Sequence, residues 1–426
     1  MSSVAAEPDA AAEALYQSSF EAMLADPADL EKAFAHARAA IAVDDFEGAI
    51  GTLERMLLLN PDLPQVRLEL GVLYFRLGSY VAAKGYLLEI AEDDRLPGPL
   101  AARVQGYLAA IDKRLASNRF DGSAIVGLRY QTNANAGPES RDVRLFGLNA
   151  RLDDEFSEQD DTNLFGILNL GHVYDFEAQN GVTLESNLTA YGTLQDQEDQ
   201  LNLILLDADT GPRIPLPAGD LVGLSVRPFV TAGHIRLDDH EYSTMFGGGV
   251  GLDATVTPLF QMGFTGMVRS RQYSDGANRT SNSDQDGEEW TAKMDVHHRV
   301  GPDTRVSGSA LFIFEGADVD HEESRTHGFT LSTTHNFRPE FALTPAPWTV
   351  MVSGGLFVTH YDSPDPVVDP NVKRVDRETR LAATLVVPFA ESWNAIGSAS
   401  VRDIDSSLPN YEFSNIALTL GAMYRF

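Results

Sequence analysis

Hydrophobic and polar residues alternate with a period of two over the last eleven positions of the chain. One face of this segment is apolar and ends on aromatic residues: Ile416, Leu418, Leu420, Ala422, Tyr424 and Phe426. Successive side chains of a β-strand point to opposite faces, so a period of two is typical of a strand. The pattern therefore predicts a terminal β-strand with one apolar face.

Similar alternation recurs through most of the chain after Arg119, in segments rich in Gly, Thr, Ser, Val and aromatic residues. Fifteen segments fit, beginning with 123–132 and 143–155 and ending with 411–426. Most are longer than the roughly five or six residues usual in soluble sheets, and they suit tilted membrane strands better. The segments predict an antiparallel transmembrane β-barrel over residues 119–426.

The connections between these segments differ in length. Those around Thr257–Leu259 and Val300–Asp303 are tight, whereas those at 317–325 and 362–375 are longer and acidic. Outer-membrane barrels have short periplasmic turns and longer outer loops. A barrel with both chain ends on one side needs an even number of strands, so we expect about fourteen, with 123–132 as the least certain candidate.

The end of the chain carries a further indication of an outer-membrane protein. Tyr424 and Phe426 resemble the carboxy-terminal signal of outer-membrane barrels, a final Phe with an aromatic residue two positions earlier. The resemblance implies that barrel-insertion machinery recognises these two residues.

Residues 30–115 instead follow a helical period. Phe46 and Tyr80 stand thirty-four positions apart, as do Ala49 and Ala83 within the same two segments. Thirty-four residues is the period of tetratricopeptide repeats, in which paired helices need small residues where they cross. We predict two repeats at about 30–63 and 64–97, followed by a capping helix at 99–115.

The predicted fold is a multidomain α + β chain. It comprises an amino-terminal extension with a short helix (1–29), a tetratricopeptide-like helical domain (30–118) and an antiparallel transmembrane barrel (119–426). Such repeats usually bind an extended peptide or a partner helix. Arg67, Tyr74 and Tyr80 are the candidate client-binding residues.

The amino-acid composition excludes several classes of function and site. The 32 basic and 62 acidic residues give a net charge of −30, which argues against nucleic-acid binding. No stretch of eighteen apolar residues predicts a transmembrane helix. The absence of cysteine excludes disulfides, thiolate chemistry and cysteine metal sites. The chain begins without a signal peptide, so we interpret it as a mature chain with an added Met.

Two short motifs carry a family resemblance. Tyr130, Asn133 and Asn135 form a Tyr-x-x-Asn-x-Asn segment where the helical and strand regions meet, and Thr210–Arg213 reads Thr-Gly-Pro-Arg. Together they resemble the surface lipoprotein assembly modulators. That family joins a periplasmic tetratricopeptide domain to a fourteen-strand outer-membrane barrel and helps lipoproteins or other secreted proteins reach the cell surface.

The resemblance implies a non-enzymatic outer-membrane translocation factor, with a periplasmic protein client and outer-membrane lipid as partners. A polysaccharide export pore and a passive porin remain alternatives. Arginines that could partly line an export lumen are Arg129, Arg144, Arg151, Arg213, Arg227, Arg269, Arg271, Arg299, Arg305, Arg380 and Arg402. The acidic excess of the chain argues against such a pore. We expect no catalytic residue, metal or cofactor.

Overall fold

The computed structural model describes residues 10–91, 97–217, 222–276 and 280–426. The chain divides into two units, Met1–Ala116 and Ser117–Phe426. Part of the predicted amino-terminal extension (1–9) and the end of the second predicted repeat (92–96) lie outside the described residues.

The described part of the first unit contains six helices, and each packs against the next along the chain. They are α1 (Ala10–Ala25), α2 (Leu30–Ala42), α3 (Phe46–Leu59), α4 (Pro64–Arg76), α5 (Tyr80–Ala91) and α6 (Gly98–Leu115). Asp29 and Asp45 begin α2 and α3 as N-caps, since their carboxylates accept backbone N–H groups of the first turn. Among the described residues, no helix combines the length and apolar character needed to cross a bilayer.

Small residues lie at the helix crossings, as the repeat pattern predicts. Ala37, Ala49 and Ala83 are fully buried. A Cβ added to Gly71 of α4 would lie only 2.6 Å from the Cγ of Leu87 on α5. The close approach of these two helices therefore depends on a glycine at this position.

A buried histidine lies between the first two helices. His36 is only 3% exposed and contacts the rings of Tyr16 and Phe20, while its Nδ1 is 3.2 Å from the hydroxyl of Ser19. Burial lowers the pKa of His36, and nearby Arg55 acts in the same direction, while the charge of Asp45 opposes the shift without reversing it. The folded domain therefore favours the neutral imidazole.

We expect acid to destabilise the helical domain. The unfolded chain binds a proton near the ordinary histidine pKa of about 6.5, above the pKa of folded His36, so stability falls as pH drops through about 6.5. The urea concentration at the unfolding midpoint of the full chain, followed by circular dichroism at 222 nm, should be lower at pH 5.5 than at pH 7.5. In His36→Gln this decrease in the urea midpoint should be smaller. An equal decrease in both proteins would contradict the assignment of the pH dependence to His36.

The second unit is a closed antiparallel barrel of fourteen strands, which confirms the predicted fold class. Its wall strands are β1 (Asn118–Gln131), β4 (Asp161–Asp175), β5 (Thr183–Gln195), β6 (Leu203–Pro215), β7 (Val222–Leu237), β8 (His240–Thr257), β9 (Phe260–Tyr273), β10 (Gly287–Arg299), β11 (Thr304–Glu315), β12 (Ser324–Phe337), β13 (Trp348–Tyr361), β14 (Val375–Pro388), β15 (Trp393–Ser406) and β16 (Phe413–Arg425). Neighbours along the chain pair around the ring, and β1 pairs with β16 to close it.

The surplus candidate strand is 143–155. The prediction that 123–132 is the least certain wall strand is wrong. Residues 123–131 belong to β1, which pairs with both β4 and β16. Residues 142–151 instead form a separate hairpin of β2 (Asp142–Leu145) and β3 (Leu148–Arg151). Phe146 and Gly147 both have positive φ, as a two-residue type I′ turn requires.

The outer face of the barrel is apolar along alternate positions. Exposed hydrophobic residues on this face include Val126, Leu128, Phe246, Val250, Phe264, Phe312, Phe329, Leu331, Leu356, Leu381, Leu418 and Leu420. Such a face suits a bilayer rather than water.

Aromatic residues gather on the outer face at the end of the barrel that holds both of its chain ends. The ring of Tyr424 lies 5.0 Å from that of Trp393 and 6.0 Å from that of Phe426. Phe337 and Trp348 form a similar pair on neighbouring strands. The position matches the aromatic girdle of membrane barrels.

Loop length alternates less regularly than the sequence suggests. The β7–β8 connection lies at the long-loop end of the barrel, yet it contains only Asp238 and Asp239, both with positive φ. Aspartate tolerates the left-handed region better than most residues, so this tight turn forms without glycine.

Candidate functional sites in the barrel lumen and the helical repeats

Arginines line the barrel lumen at alternate strand positions. The strand register places these arginines on the inner face: Arg129, Arg213, Arg227, Arg269, Arg271, Arg299, Arg305, Arg380 and Arg402. Arg144 and Arg151 lie instead in the β2–β3 hairpin.

One group of these arginines forms ion pairs on the inner wall of β5–β8. Arg213 lies 2.6 Å from a carboxylate oxygen of Glu185 and 2.6 Å from one of Asp253. Arg227 pairs with Asp209 and lies 3.6 Å from Glu185. Glu185 thus joins the two guanidinium groups.

The ion pairs continue across β9–β11. Arg269 lies 3.3 Å from Asp207 and 2.8 Å from Glu289, and Arg271 lies 2.5 Å from Glu315. We call the complete set the ion-pair belt, which comprises Glu185, Asp207, Asp209, Arg213, Arg227, Asp253, Arg269, Arg271, Glu289 and Glu315. Its six carboxylates outnumber its four arginines, so the belt has a negative net charge and is not a cationic surface.

On the opposite wall of the lumen, arginines outnumber carboxylates in the ion-pair group. In the ring of fourteen strands, β14 stands seven strands from β7 in either direction. Glu378 on β14 accepts from Nε of Arg380 at 2.6 Å and also from Nε of Arg402 on β15. Two arginines therefore share one carboxylate.

Aromatic rings support several of the lumen arginines. The guanidinium of Arg380 lies 4.4 Å from the centre of the Phe357 ring, and that of Arg402 lies 5.1 Å from Phe413. Phe357 lies against Gly328, where an added Cβ would come within 2.3 Å of the ring. Glycine thus leaves room for an inward ring, and the ring contributes a cation–π contact that helps to orient the arginine.

The Tyr-x-x-Asn-x-Asn segment at the end of β1 shapes the β1–β4 connection. The amide of Asn133 donates to the Gly137 carbonyl at 2.8 Å and accepts from its N–H at 3.0 Å. Asn135 donates to Ser157 at 2.8 Å, and the hydroxyl of Tyr130 donates to Asp160 at 3.2 Å. These contacts show what positions the three side chains, and their role as a barrel motif stays a prediction.

The β2–β3 hairpin is bound to two other connections of the barrel. The Asn410 side chain accepts from the Arg144 N–H and donates to its carbonyl, both at 2.9 Å. At the hairpin turn, the Phe146 N–H donates to the Val367 carbonyl at 2.7 Å. The hairpin is therefore held by the β13–β14 and β15–β16 connections.

These two connections also contact each other through a half-buried cation. The guanidinium of Arg374 lies between the rings of Tyr361 and Tyr411, at 4.4 and 3.4 Å from their centres. Its Nε donates to Asp376 at 2.9 Å. The support beneath the hairpin is thus a specific polar cluster.

Asn410→Ala should loosen the hairpin, because it removes both side-chain hydrogen bonds to Arg144. Each bond contributes about 1 kcal/mol, so amide hydrogen exchange in peptides covering 140–152 should accelerate about tenfold or more. Glu412→Gln is the control, since Glu412 contacts this region through its backbone carbonyl, which accepts from Glu139. Unchanged exchange in Asn410→Ala would show that other contacts hold the hairpin.

The candidate client-binding residues lie in two environments. Arg67 and Tyr74 bind acidic side chains, whereas Tyr80 packs against an aromatic ring. Nε of Arg67 donates to Glu89 at 2.6 Å, and the Tyr74 hydroxyl donates to Glu54 at 2.8 Å. The hydrogen bond to Glu54 raises the pKa of Tyr74 to about 12. Tyr80 instead packs edge-on against Phe75. Their role in client binding stays a prediction.

Sequence reasoning missed residues in both domains, including the carboxylates of the ion-pair belt. Tyr86 stacks on Tyr74 with ring centres 5.7 Å apart and also donates to Glu54 at 3.2 Å. In the lumen, the shared carboxylate Glu378 was not singled out. The period of two in Glu378-x-Arg380 is the available signal, because it places both side chains on one face of a strand.

The helical region has a recognised sequence match. Residues 40–108 match the tetratricopeptide repeat family. The match confirms the predicted repeat type and covers most of α3 through α6. No curated protein matches the chain.

The solved structures similar to parts of the chain include helical chaperones and outer-membrane barrels. The Yersinia enterocolitica type III secretion translocator chaperone SycD is 16% identical, with 24% of this chain and 74% of that chain covered and a TM-score of 0.23. A bacterial polysaccharide outer-membrane secretin is 10% identical over 71% and 98%, with a TM-score of 0.35. An outer-membrane channel from Pseudomonas putida F1 is 13% identical over 72% and 96%, also with a TM-score of 0.35.

Proposed function

We propose that this chain is a non-enzymatic outer-membrane translocation factor that delivers a protein client to the cell surface. The helical repeats capture the client in the periplasm, and the barrel passes it outward or assists its passage. The sequence resemblance to surface lipoprotein assembly modulators suggests a lipoprotein or another secreted protein as the client.

The ion-pair belt is the observation that carries this proposal. Four of the lumen arginines are matched by six carboxylates. An anionic polysaccharide would meet repulsion along this wall, whereas a polypeptide with charges of both signs can pair with either partner. The tetratricopeptide match supports the same reading, because such repeats present extended binding surfaces.

The barrel's outer face supports an outer-membrane location. Its apolar alternate positions and aromatic residues suit a bilayer. Both ends of the barrel chain lie at one end, since Ser123 of β1 pairs with Arg425 of β16. We place that end, and the helical domain that precedes β1, in the periplasm.

Cross-linking in cell envelopes tests client capture. A photo-reactive residue at position 67 should cross-link to a lipoprotein or secreted protein, and Tyr74→Ala should weaken that cross-link. The same residue at exposed position 58 on α3 is the control for random collision. Recovery of polysaccharide synthesis enzymes instead would contradict a protein client.

A polysaccharide export pore is the second candidate, and the wall of β14–β15 favours it. There, Arg380 and Arg402 face the lumen and share Glu378. Such an excess of positive charge is suited to the carboxylates of an acidic polysaccharide.

A further inference from the structure

A recess lies on the inner wall of β12–β15. It has a volume of about 550 Å³, and its inward-facing lining includes Thr330, Ser353, Phe357, Arg380, Ser400 and Arg402. Hydroxyl groups and two guanidinium groups thus surround one apolar ring. This combination offers hydrogen-bond donors to a negatively charged group.

The two arginines retain donors that Glu378 does not use. In the part of the chain that the structure describes, Glu378 accepts from Nε and Nη2 of Arg380 and from Nε of Arg402. The Arg380 and Arg402 side chains are 53% and 48% exposed, while that of Glu378 is 12% exposed. The remaining N–H groups of both arginines are therefore accessible from the lumen.

The charge and geometry of this group suit an oxyanion. Two guanidinium groups and one carboxylate leave one excess positive charge. Guanidinium groups bind carboxylates and phosphates through paired N–H donors. The stacks on Phe357 and Phe413 help to hold the two cations in place before a ligand arrives.

The charge of the opposite lumen wall indicates which class of oxyanion ligand the recess favours. The ion-pair belt, centred on β7–β8, carries two excess negative charges, whereas the recess carries one positive charge. A polypeptide with acidic and basic side chains can satisfy both walls at once. A chain that carries only negative charge is attracted by the recess and repelled by the belt.

We propose that the Arg380–Arg402 recess binds the carboxylates of Asp and Glu side chains of a polypeptide in the lumen. The assignment rests on the proposed function for the identity of the polypeptide, namely the translocated client. The recess provides a binding site within the barrel that is separate from client capture by the helical domain.

Binding of a synthetic acidic peptide tests the site. The probe is fluorescein-labelled hexaglutamate, added to the full chain in nanodiscs at low salt and followed by fluorescence anisotropy. The Arg380→Gln/Arg402→Gln variant should raise the Kd about tenfold or more, since two charge-assisted contacts are lost. Arg377→Gln is the matched control, because Arg377 lies on the same strand but outside, 3.4 Å from Asp405.

A second variant should act in the opposite direction. Glu378→Gln removes the competing carboxylate while keeping the side-chain shape, so the Kd for hexaglutamate should fall about threefold or more. Far-UV circular dichroism checks that each barrel is folded. An unchanged Kd in both the double arginine variant and Glu378→Gln would overturn the site.

Competition separates the two macromolecular sources of carboxylate. An unlabelled hexapeptide of alternating Glu and Lys, which carries charges of both signs, should displace the probe at a lower concentration than hexagalacturonate, which carries only negative charge and is repelled by the ion-pair belt. Stronger displacement by hexagalacturonate, lost in the double arginine variant, would overturn the polypeptide assignment. These outcomes are distinct from failure of the proposed function, because the probe experiment needs no natural client and the cross-linking experiment needs no lumen site.

Discussion

Gly211→Val is expected to prevent the barrel from folding. A Cβ at position 211 would lie 2.0 Å from the Pro228 carbonyl oxygen and 2.7 Å from the Cα of Phe229. Both atoms belong to the backbone of β7, so neither can move without shifting the strand. Overpacking typically costs about 1–3 kcal/mol, and a clash with backbone belongs at or above the upper end of that range.

The local strand register explains why the two backbones approach so closely. The pairing of β6 with β7 runs to Thr210↔Val230 and resumes at Ile214↔Val226. Gly211 lies within this interruption. The Thr-Gly-Pro-Arg motif therefore has a structural role in the barrel wall, whether or not it also marks a family.

The measurement is the amount of folded barrel in the outer membrane, detected as the heat-modifiable band on an SDS gel. Gly251→Val on β8 is the matched control, because the nearest atom to its added Cβ is 3.8 Å away. We expect the folded band to be lost for Gly211→Val and largely retained for Gly251→Val. Equal bands would mean that β7 yields easily and that the close approach is unimportant.

Leu87→Ala should have a comparably large effect on the helical domain. Leu87 is fully buried on α5, where its side chain packs over Gly71 of α4. A buried Leu→Ala change costs about 2–5 kcal/mol, because it removes apolar contacts and leaves a cavity. Small domains are stable by only about 5–15 kcal/mol, so the change removes a large part of the total.

Urea unfolding of the full chain, followed at 222 nm, measures the loss. Leu88→Ala is the control, since the neighbouring side chain is 43% exposed. We expect a clearly lower midpoint for Leu87→Ala and a nearly unchanged one for Leu88→Ala, with the barrel unaffected in both. Similar midpoints for the two variants would contradict the packing of α4 on α5.

The sequence carried enough information to predict both domains, because both rest on periodic patterns. Thirty-four residues separate Ala49 from Ala83, and the structure buries both. Alternation alone does not identify a strand's partner, which is why the sequence pattern wrongly predicts a wall strand at 143–155. The turn at Phe146 and Gly147 divides that segment into two short strands that pair with each other.

The lumen was less predictable, because its ion pairs join residues that are distant in the sequence. Arg269 and Asp207 are 62 positions apart, and Arg213 and Asp253 are 40 apart. Their contact depends on the strand register, which composition does not reveal. Arginine positions could therefore be predicted as lumen candidates, whereas their neutralisation by carboxylates emerged only from the structure.

Protease treatment of intact cells tests the central claim, the delivery of a protein client to the surface. The client is the protein cross-linked at position 67, followed in cells with and without this chain. We predict that an external protease degrades the client in cells that contain the chain and leaves it intact in cells that lack it or carry a deletion of residues 30–115. Equal degradation in all three would contradict a translocation function.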